Sequence, residues 1–327
     1  MINPKAYLNP KLFDQDIDQV ASRNGFGEGL VLAAENNEQV VGLCADLTES
    51  TKMTAFAQQF PHRFIQVGVA EQSLVTVAAG MALAGKIPFA GAFATFSPGR
   101  NWEQIRTTIC YNDVPVKVIG SHAGISVGSD GATHQALEDI AIMRALPNMI
   151  VISPVDAVEV KKATIAMAKL SKPCYMRLSR DKIPVVTTEK TPFEIGRAEV
   201  FYEGADVAVI ATGLMVHRAL QAAEQLKSHN ISVRVINCHT IKPLDKEVVI
   251  KAAKECRAIV TAEEHQITGG LGGAVAEVLS QNFPVPLKII GVKDKFGESG
   301  EGNQLLDKFG LTKDAIIKAI KDVTALL

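Results

Sequence analysis

The feature that most constrains this chain is a repeated alternation of short Val- and Ile-rich runs with segments of helical length. The runs in the first half are QVVGLCA (39–45), RFIQVGV (63–69), PVKVIGS (115–121), NMIVISP (148–154) and PCYMRLS (173–179). Amphipathic stretches such as HQALEDIAIMRAL and DAVEVKKATIAMAKL lie between the runs. Strands that are apolar on both faces and separated by helices are typical of parallel βαβ units. The pattern therefore predicts an α/β fold, a mostly parallel sheet covered by helices on both sides.

A second alternating series follows a change in composition after Arg180. The segment DKIPVVTTEKTPFEIGRAEVFYEGAD has prolines, threonine pairs and no strong helical period, which predicts a linker that runs into a hairpin. New apolar runs then appear: DVAVIAT (206–212), SVRVINC (232–238), RAIVTAEE (257–264) and PLKIIGV (286–292). A chain of 327 residues is long enough for two domains. We therefore predict two consecutive α/β domains, residues 1–188 with an N-terminal extension and residues 189–327.

Composition argues against several functional classes. With 47% apolar and 21% charged residues, the chain can bury sizeable cores. Its 34 Lys and Arg nearly balance its 35 Asp and Glu, so no global field favours nucleic acid or an anionic membrane. The five cysteines include no C-x-x-C pair, and neither a disulfide framework nor a zinc site is indicated. No signal-peptide pattern opens the chain, and the uncharged apolar stretch 74–85 is too short to span a bilayer, so we expect a soluble, cytoplasmic protein.

A carboxylate stands at the start of one of the most apolar segments. The segment VGVAEQS (67–73), which contains Glu71, directly precedes LVTVAAGMALAG. A buried glutamate is costly unless it is paired or has a function. An acidic residue in the first turn of a helix also complements the helix dipole, which alone explains many such residues. From this segment by itself, both interpretations of Glu71 stay open.

Polar residues follow several predicted strands, at the sheet edge where α/β proteins bind ligands. CADLTES supplies Asp46 and Ser50, which are either a helix cap or site residues. GAFATFSPGR supplies Phe93 and Phe96, which by default are core aromatics. Arg23 and Arg180, each in a short polar segment, are either surface cations or forks for phosphate.

The loop GSHAGISVGSDGATHQ (120–135) is the richest in candidate residues. It contains His122, Asp130, His134 and four glycines, but it fits neither a P-loop nor a dinucleotide fingerprint nor a common zinc spacing. Histidines that titrate near neutral pH can move protons. The loop therefore predicts recognition of a hydroxylated or phosphorylated substrate, with a purely structural role of the histidines as the alternative.

Taken in order, these motifs resemble the second half of transketolases, the thiamine-diphosphate enzymes that move two-carbon ketol units between sugar phosphates. ADLTES, VGVAEQ, GAFATF, GSHAGISVGSDGATHQ, ALPNMIVISP and LSRDKIP resemble motifs of the pyrimidine-binding domain. EEHQITGGLGGAVAEVL and GVKDKFGESG resemble the C-terminal domain. The resemblance implies these two domains, thiamine diphosphate as cofactor, and a place in the pentose phosphate pathway.

The resemblance also implies a role for each candidate residue. Glu71 matches the activating glutamate that hydrogen-bonds the aminopyrimidine ring of the cofactor, and Phe93 and Phe96 match the aromatic wall against that ring. The remaining matches are Arg23, Ser50, His122 and Arg180 as binders of the substrate's phosphate, Asp130 as the reader of a substrate hydroxyl, His134 beside the reacting carbonyl, and Asp46 as a structural or cofactor-edge residue. Glu71, His122 and His134 are the residues to which we assign catalysis.

This chain departs from the family pattern at several positions. Ala132 and Glu49 stand where the family usually has proline, and Ala123 stands where an aspartate is common, so the sugar itself stays open. The family's G-D-G metal motif with its downstream asparagine does not occur in the sequence. The resemblance therefore implies a separate subunit that holds the diphosphate and Mg²⁺, and a two-plus-two assembly in which this chain self-associates as a dimer.

Three other functions are compatible with much of the same pattern. Half of a deoxyxylulose-phosphate synthase and the beta subunit of a 2-oxo acid dehydrogenase are alternatives within the enzyme class. A regulatory or assembly subunit that kept the fold is the non-enzyme alternative. ATHQALEDIAIMRALPN with LSRDKIP is more similar to transketolase than to either of the other enzymes.

Overall fold

The computed structural model describes residues 1–326. The elements of the first half are β1 (Gln19–Ala21), α1 (Ser22–Asn36), β2 (Val40–Cys44), α2 (Thr54–Gln59), β3 (Phe64–Gln66), α3 (Glu71–Leu83), β4 (Ile87–Phe93), α4 (Trp102–Gln104), β5 (Lys117–Ser121), α5 (Asp139–Arg144), β6 (Ile150–Ile152), α6 (Ala157–Met167), β7 (Cys174–Arg177) and β8 (Lys182–Pro184). The short α4 continues as a π-helical segment, Ile105–Cys110. Single 3-10 turns occur at Pro4–Ala6, Pro61–Arg63 and Ile125–Asp130.

The second half continues the alternation of strands and helices. Its elements are β9 (Glu199–Tyr202), β10 (Val207–Ala211), α7 (Met215–Lys227), β11 (Val233–Asn237), β12 (Thr240–Lys242), α8 (Lys246–Cys256), β13 (Ile259–Gln266), α9 (Leu271–Asn282), β14 (Leu287–Val292), α10 (Gly302–Lys308) and α11 (Lys313–Thr324). Eight of the nine apolar runs singled out in the sequence contain one of these strands, and the ninth, residues 257–264, contains most of β13. Among residues 1–326, no helix is long and apolar enough to cross a membrane.

Two mostly parallel sheets organise the molecule. The seven-stranded sheet has the order β12-β6-β7-β5-β4-β2-β3, and only its β12 edge is antiparallel. The five-stranded sheet has the order β14-β13-β10-β11-β9, and only its β9 edge is antiparallel. The predicted fold class, two α/β domains with mostly parallel sheets flanked by helices, is confirmed.

The hairpin predicted after the linker is wrong. β8 pairs antiparallel with β1, far back in the chain, and β9 pairs with β11 rather than with its neighbours in sequence. The linker between β8 and β9 is held by a buried carboxylate, because the backbone N–H groups of Val186 and Thr187 donate to Asp156 at 2.7 and 2.6 Å. Polar side chains elsewhere in the fold thus satisfy the backbone that a hairpin would have paired.

The helix predicted over residues 134–146 forms only at Asp139–Arg144. The preceding residues bond to other segments instead of to one another. Gly124 donates to the carbonyl of Ala136 at 2.9 Å, and Gln266 donates to that of Leu137 at 2.8 Å. These long-range bonds replace the first helical turns, so tertiary contacts override a local helical period here.

The predicted domain limits, 1–188 and 189–327, remain a prediction, because segments cross between the two halves. β12 follows β11 in sequence but pairs with β6 at the edge of the first sheet. At the other end of the chain, Asn3 Nδ2 donates to the carbonyl of Val200 at 2.7 Å. Each half therefore contributes to the other's packing.

The packing of α1 on α6 fixes where the first turn of α1 lies. A Cβ added to Gly25 would lie 1.9 Å from the carbonyl oxygen of Ala157, and one on Gly29 would lie 2.8 Å from the Cβ of Thr164. Only glycine allows this close approach of the two helices. The contact places Arg23, in the first turn of α1, at the same end of the sheet as the loops described next.

Candidate active site

The carboxyl ends of five adjacent strands bring the candidate residues together. β7, β5, β4, β2 and β3 lie side by side in that order and are mutually parallel. In strand order, their ends carry Arg180, His122, Phe93, the Asp46–Ser50 turn and Glu71. Strand order, rather than distance along the sequence, makes these residues neighbours.

Glu71 is the first residue of α3, and its side chain is 5% exposed. Arg100 Nη1 donates to both carboxylate oxygens at 3.1 and 3.2 Å. Asn101 Nδ2 donates to the Glu71 backbone carbonyl at 2.7 Å and so holds the start of the helix. Glu71 therefore does begin a helix, as the simpler interpretation holds, but its carboxylate also has a dedicated cation and borders an open cavity of about 510 Å³.

Phe93 and Phe96 are partly exposed rather than buried in the core. Their ring centroids lie 6.2 Å apart, with planes 22° from parallel. The guanidinium of Arg100 lies 4.1 Å from the centroid of the Phe96 ring, so one arginine connects the carboxylate to the aromatic pair. The pair presents an apolar surface beside Glu71 on which a flat ring can stack.

Arg100 and Asn101 are site residues to which the sequence analysis assigned no role. The side chain of Arg100 is 52% exposed. Asn101, in contrast, is fully buried, and its Oδ1 has no hydrogen-bond partner among the described residues. Both follow the aromatic pair in GAFATFSPGRN, directly after a strand that ends at the site edge. A cation at that position was the available signal, but its pairing with Glu71 depends on the fold.

Arg23 and Arg180 line a cationic pocket next to His122, and the Ser50 backbone contacts Arg23. Arg23 Nη1 donates to the Ser50 carbonyl at 2.8 Å and lies 3.5 Å from His122 Nε2. Arg180 Nη1 donates to the Val127 carbonyl at 2.6 Å. Arg23 and Arg180 both line a cavity of about 500 Å³. Two guanidinium groups at one cavity are suited to an anion such as phosphate.

His122 does not behave as the near-neutral base that the sequence suggested. Burial, and then the positive charges of Arg23 and Arg180, lower its pKa to about 3. The ring is therefore neutral at physiological pH. Because arginine can only donate, His122 Nε2 faces Arg23 as an acceptor, and Nδ1 carries the proton toward Ser121 Oγ at 2.9 Å. In the protein without ligand, His122 is thus a neutral hydrogen-bonding group stacked 3.9 Å from the Phe93 ring.

The other candidates lie at the rim of the site. His134 packs edge-on against Phe96 with centroids 5.3 Å apart, and its Nδ1 lies 2.9 Å from Thr133 Oγ1. Asp130 is 33% exposed and 3.9 Å from Arg180. Asp46 is exposed at the end of β2, in the left-handed backbone region with φ of 59°. The structure therefore brings all ten predicted site residues to one edge of the sheet, while their roles stay predictions.

The residues present fit an aminopyrimidine. A buried carboxylate can accept hydrogen bonds from ring nitrogens, and the open aromatic pair can stack on the ring. The unpartnered Oδ1 of buried Asn101 is a further polar atom close to Glu71. Among residues 1–326, no group of three or more His, Cys, Asp or Glu side chains could hold a metal ion.

The fold and this constellation define a class, an α/β protein with a buried carboxylate, a partly exposed aromatic pair and a cationic pocket at the carboxyl ends of its strands. Residues 18–185 match the family model "Transketolase, pyrimidine binding domain", and residues 196–316 match "Transketolase, C-terminal domain". The chain belongs to the transketolase family and corresponds to its C-terminal half. The pyrimidine-binding domain implies the use of thiamine diphosphate.

Similar proteins of the same length are themselves separate chains. A "Putative transketolase C-terminal section" from Methanocaldococcus jannaschii is 45% identical over 92% of this chain and 95% of its own length. The "6-deoxy-6-sulfo-D-fructose transketolase subunit SqwH" of a Clostridium species, strain MSTE9, is 40% identical over 95% of this chain and 97% of its own. A solved structure described as "Split gene transketolase, inactive beta4 tetramer" superposes with a TM-score of 0.88 at 45% identity and covers 94% of this chain and 99% of that one.

Proposed function

We propose that this chain is the C-terminal subunit of a two-subunit, thiamine-diphosphate-dependent transketolase that transfers a two-carbon ketol unit between sugar phosphates, as in the pentose phosphate pathway. A separate N-terminal subunit holds the cofactor's diphosphate and a divalent ion, in the proposal Mg²⁺. Two copies of each subunit form the assembly, so that each site lies between chains.

The observation that carries the proposal is the arrangement of Glu71, 5% exposed, beside the partly exposed Phe93 and Phe96. A carboxylate removed from water is costly, and here it is kept at the wall of an open cavity. A cationic pocket suited to phosphate adjoins His122, which stacks on Phe93. A ring-binding half and a phosphate-binding half side by side match a ketol transfer between sugar phosphates.

When bound, thiamine diphosphate supplies a stabilised carbanion that carries the two-carbon unit. In this proposal, Glu71 accepts a hydrogen bond from a ring nitrogen of the aminopyrimidine, and that bond is strong because the carboxylate is desolvated. Arg100, which donates to both oxygens, keeps the carboxylate oriented. Phe93 and Phe96 fix the plane of the ring and exclude water from one of its faces.

The substrate end of the site uses the remaining residues. Arg23 and Arg180 bind the terminal phosphate as cations, and neutral His122 adds a hydrogen bond without a charge of its own. Holding the phosphate at one end of the sugar helps to position its carbonyl at the other end of the site. His134 and Asp130, at the rim, contact the hydroxyl groups near that carbonyl.

The test is reconstitution. This chain and a candidate N-terminal subunit are purified separately, and ketol transfer from xylulose 5-phosphate to ribose 5-phosphate is measured with thiamine diphosphate and Mg²⁺. We expect activity only when the two are combined. Full activity of the isolated chain would refute the two-subunit proposal.

The donor and one variant separate the alternatives. Pyruvate as the preferred donor would assign the chain to a deoxyxylulose-phosphate synthase or a 2-oxo acid dehydrogenase instead. A reconstituted complex whose activity is indifferent to Glu71→Ala would identify a regulatory or assembly subunit.

A further inference from the structure

The cationic pocket contains more charge than the two arginines that the resemblance identifies. Its cavity is lined by four cationic side chains, Arg23, Lys52, Arg180 and Lys182, and by one carboxylate, Asp181, while Asp130 lies 3.9 Å from Arg180. Cations that share a partly desolvated pocket repel one another unless an anion joins them. Burial and the nearby charge of Arg180 already lower the pKa of Arg23. The pocket thus carries an excess of positive charge that a ligand can neutralise.

Arg23 also retains an unused donor. Its Nε is buried and has no hydrogen-bond partner among the described residues, although Nη1 bonds to the Ser50 carbonyl. A buried guanidinium N–H without a partner is uncommon in native proteins and calls for a missing acceptor. Arg23 therefore has a hydrogen-bond donor that no described protein group satisfies.

Lys52 is held at the pocket by an unusual backbone conformation. Its φ is 64°, in the left-handed region that residues other than glycine rarely adopt. The turn that contains it is closed by bonds from Thr51 to Leu47 at 2.8 Å, from Lys52 to Glu49 at 3.1 Å and from Met53 to Thr48 at 2.9 Å. Asp46 and His122, two other residues of the site, also have positive φ. Backbone strain of this kind clusters at functional sites.

The helix α1 makes room for this turn. A Cβ added to Gly27 would lie 2.5 Å from the carbonyl oxygen of Lys52 and 3.0 Å from its Cβ, so only glycine allows the contact. The same helix carries Arg23 in its first turn. The close contact at Gly27 therefore sets where the Lys52 turn lies relative to α1 and Arg23. Among the described residues, Lys52 takes part in no ion pair.

We propose that Lys52 is a specificity-determining residue of the terminal-anion pocket. It adds a third cation to Arg23 and Arg180 and selects sugars whose terminal group carries two negative charges over those with one charge or none. This inference rests on the proposed ketol transfer and deepens it, because it names the residue that favours a doubly charged terminal phosphate over other terminal groups. A singly charged sulfonate at the same position gains less from the third cation.

The test compares donors in the reconstituted two-subunit enzyme. kcat/KM is measured for fructose 6-phosphate, 6-deoxy-6-sulfofructose and uncharged erythrulose, with uncharged glyceraldehyde as acceptor, so that every donor gives xylulose and a distinct aldehyde. For Lys52→Met, the ratio of kcat/KM for the phosphate donor to that for erythrulose is expected to fall roughly 10- to 100-fold, chiefly through KM, as when one charged hydrogen bond is lost. The ratio of kcat/KM for the sulfonate donor to that for erythrulose should also fall, but by less than the ratio for the phosphate donor.

Two matched variants complete the comparison. Lys52→Arg is expected to keep most of the preference, because it keeps the charge. Lys169→Met, which removes an exposed lysine at the end of α6, serves as the control and leaves the ratio as it is. An equal loss on all three donors in Lys52→Met overturns the inference while leaving ketol transfer intact.

A second measurement needs no activity. Inorganic phosphate that binds this pocket raises the thermal unfolding temperature of the isolated chain, and Lys52→Met weakens that shift. Absence of any shift in the unaltered chain, or an equal shift in both, overturns the inference. An enzyme inactive with every donor, together with a phosphate shift that depends on Lys52, would refute ketol transfer but support the anion pocket.

Discussion

Replacing Glu159 with glutamine is predicted to change how the stability of this protein depends on pH. Glu159 is buried in α6, where Oε2 accepts the Val155 N–H at 2.7 Å and Oε1 accepts Asn237 Nδ2 at 2.7 Å. Burial, and next the charge of Asp156, raise the pKa of Glu159 from 4.5 to about 8. Since Asn237 ends β11, this carboxyl group lies where the two halves of the chain meet.

The sign follows from proton linkage. Between pH 4.5 and about 8 the folded chain keeps a proton on Glu159 that the unfolded chain releases, so stability falls as pH rises through this window. The stabilising contribution of Glu159 is fully present below its pKa in the unfolded chain, and it is lost once the pH passes its pKa in the folded chain. From pH 6 to pH 9 the free energy of unfolding should fall by roughly 2.5 kcal/mol on account of this group, as an order of magnitude.

Glutamine is the matched replacement because its shape is the same and its charge is absent. Its Oε1 can still accept the Val155 N–H. Asn237 Oδ1 is buried without a partner among the described residues. If the side-chain amide of Asn237 rotates by half a turn, this oxygen faces the new glutamine and can accept a hydrogen bond from its Nε2. Glu159→Gln should therefore already be more stable than the unaltered chain at pH 6, by roughly 2 kcal/mol, and the difference should grow further by pH 9.

The assay is urea unfolding at pH 6, 7.5 and 9, followed by circular dichroism. Glu38→Gln, an exposed site on the same half of the chain, serves as control and should leave the pH profile unchanged. Only the difference between profiles is interpreted, because other groups titrate in both proteins. If Glu159→Gln and the unaltered chain fall in parallel from pH 6 to 9, Glu159 is ionised throughout and the reasoning from its burial is refuted.

Three further substitutions test the site and the packing that supports it. Glu71→Gln should lower the rate of ketol transfer by the reconstituted enzyme roughly 100-fold or more. The free energy of urea unfolding of the isolated chain should change by only about 1 kcal/mol. An unchanged rate of ketol transfer contradicts the role given to the carboxylate. Gly25→Ala should destabilise the chain by roughly 2–3 kcal/mol in urea unfolding, because α6 leaves no room for the added methyl group. Gly80→Ala, whose added Cβ meets nothing within 4 Å, should stabilise the chain slightly. Equal effects of the two substitutions contradict the packing argument. Arg177→Met should lower the free energy of unfolding by roughly 3–5 kcal/mol, because it leaves Asp139, which is 1% exposed, without its cation at 2.9 Å. Adding Asp139→Asn should recover part of the loss. No recovery would mean that lost packing, not the unpaired charge, sets the cost.

Much of the fold could be predicted because the relevant information is local. Interior strands such as β2 and β10 are apolar runs whose residues are all buried in a parallel sheet, and this pattern is visible without knowing the neighbours. The site edge was predictable for the same reason, since polar residues after such runs must emerge at the carboxyl ends of strands. The failed hairpin and the shortened helix after His134 occur where bonds to distant segments replaced local ones.

By itself the sequence determined the two α/β domains, the family resemblance and the identity of Glu71, Phe93, Phe96, His122 and Arg180 as candidates, because these depend on local periodicity and ordered motifs. Only the tertiary structure decided that Arg100 pairs with Glu71, that the pKa of His122 is lowered, and that Lys52 shares a cavity with Arg23. Those facts depend on strand order and on helix contacts through glycine. Distances and burial across a sheet are set by the whole fold, and no local pattern in the sequence records them.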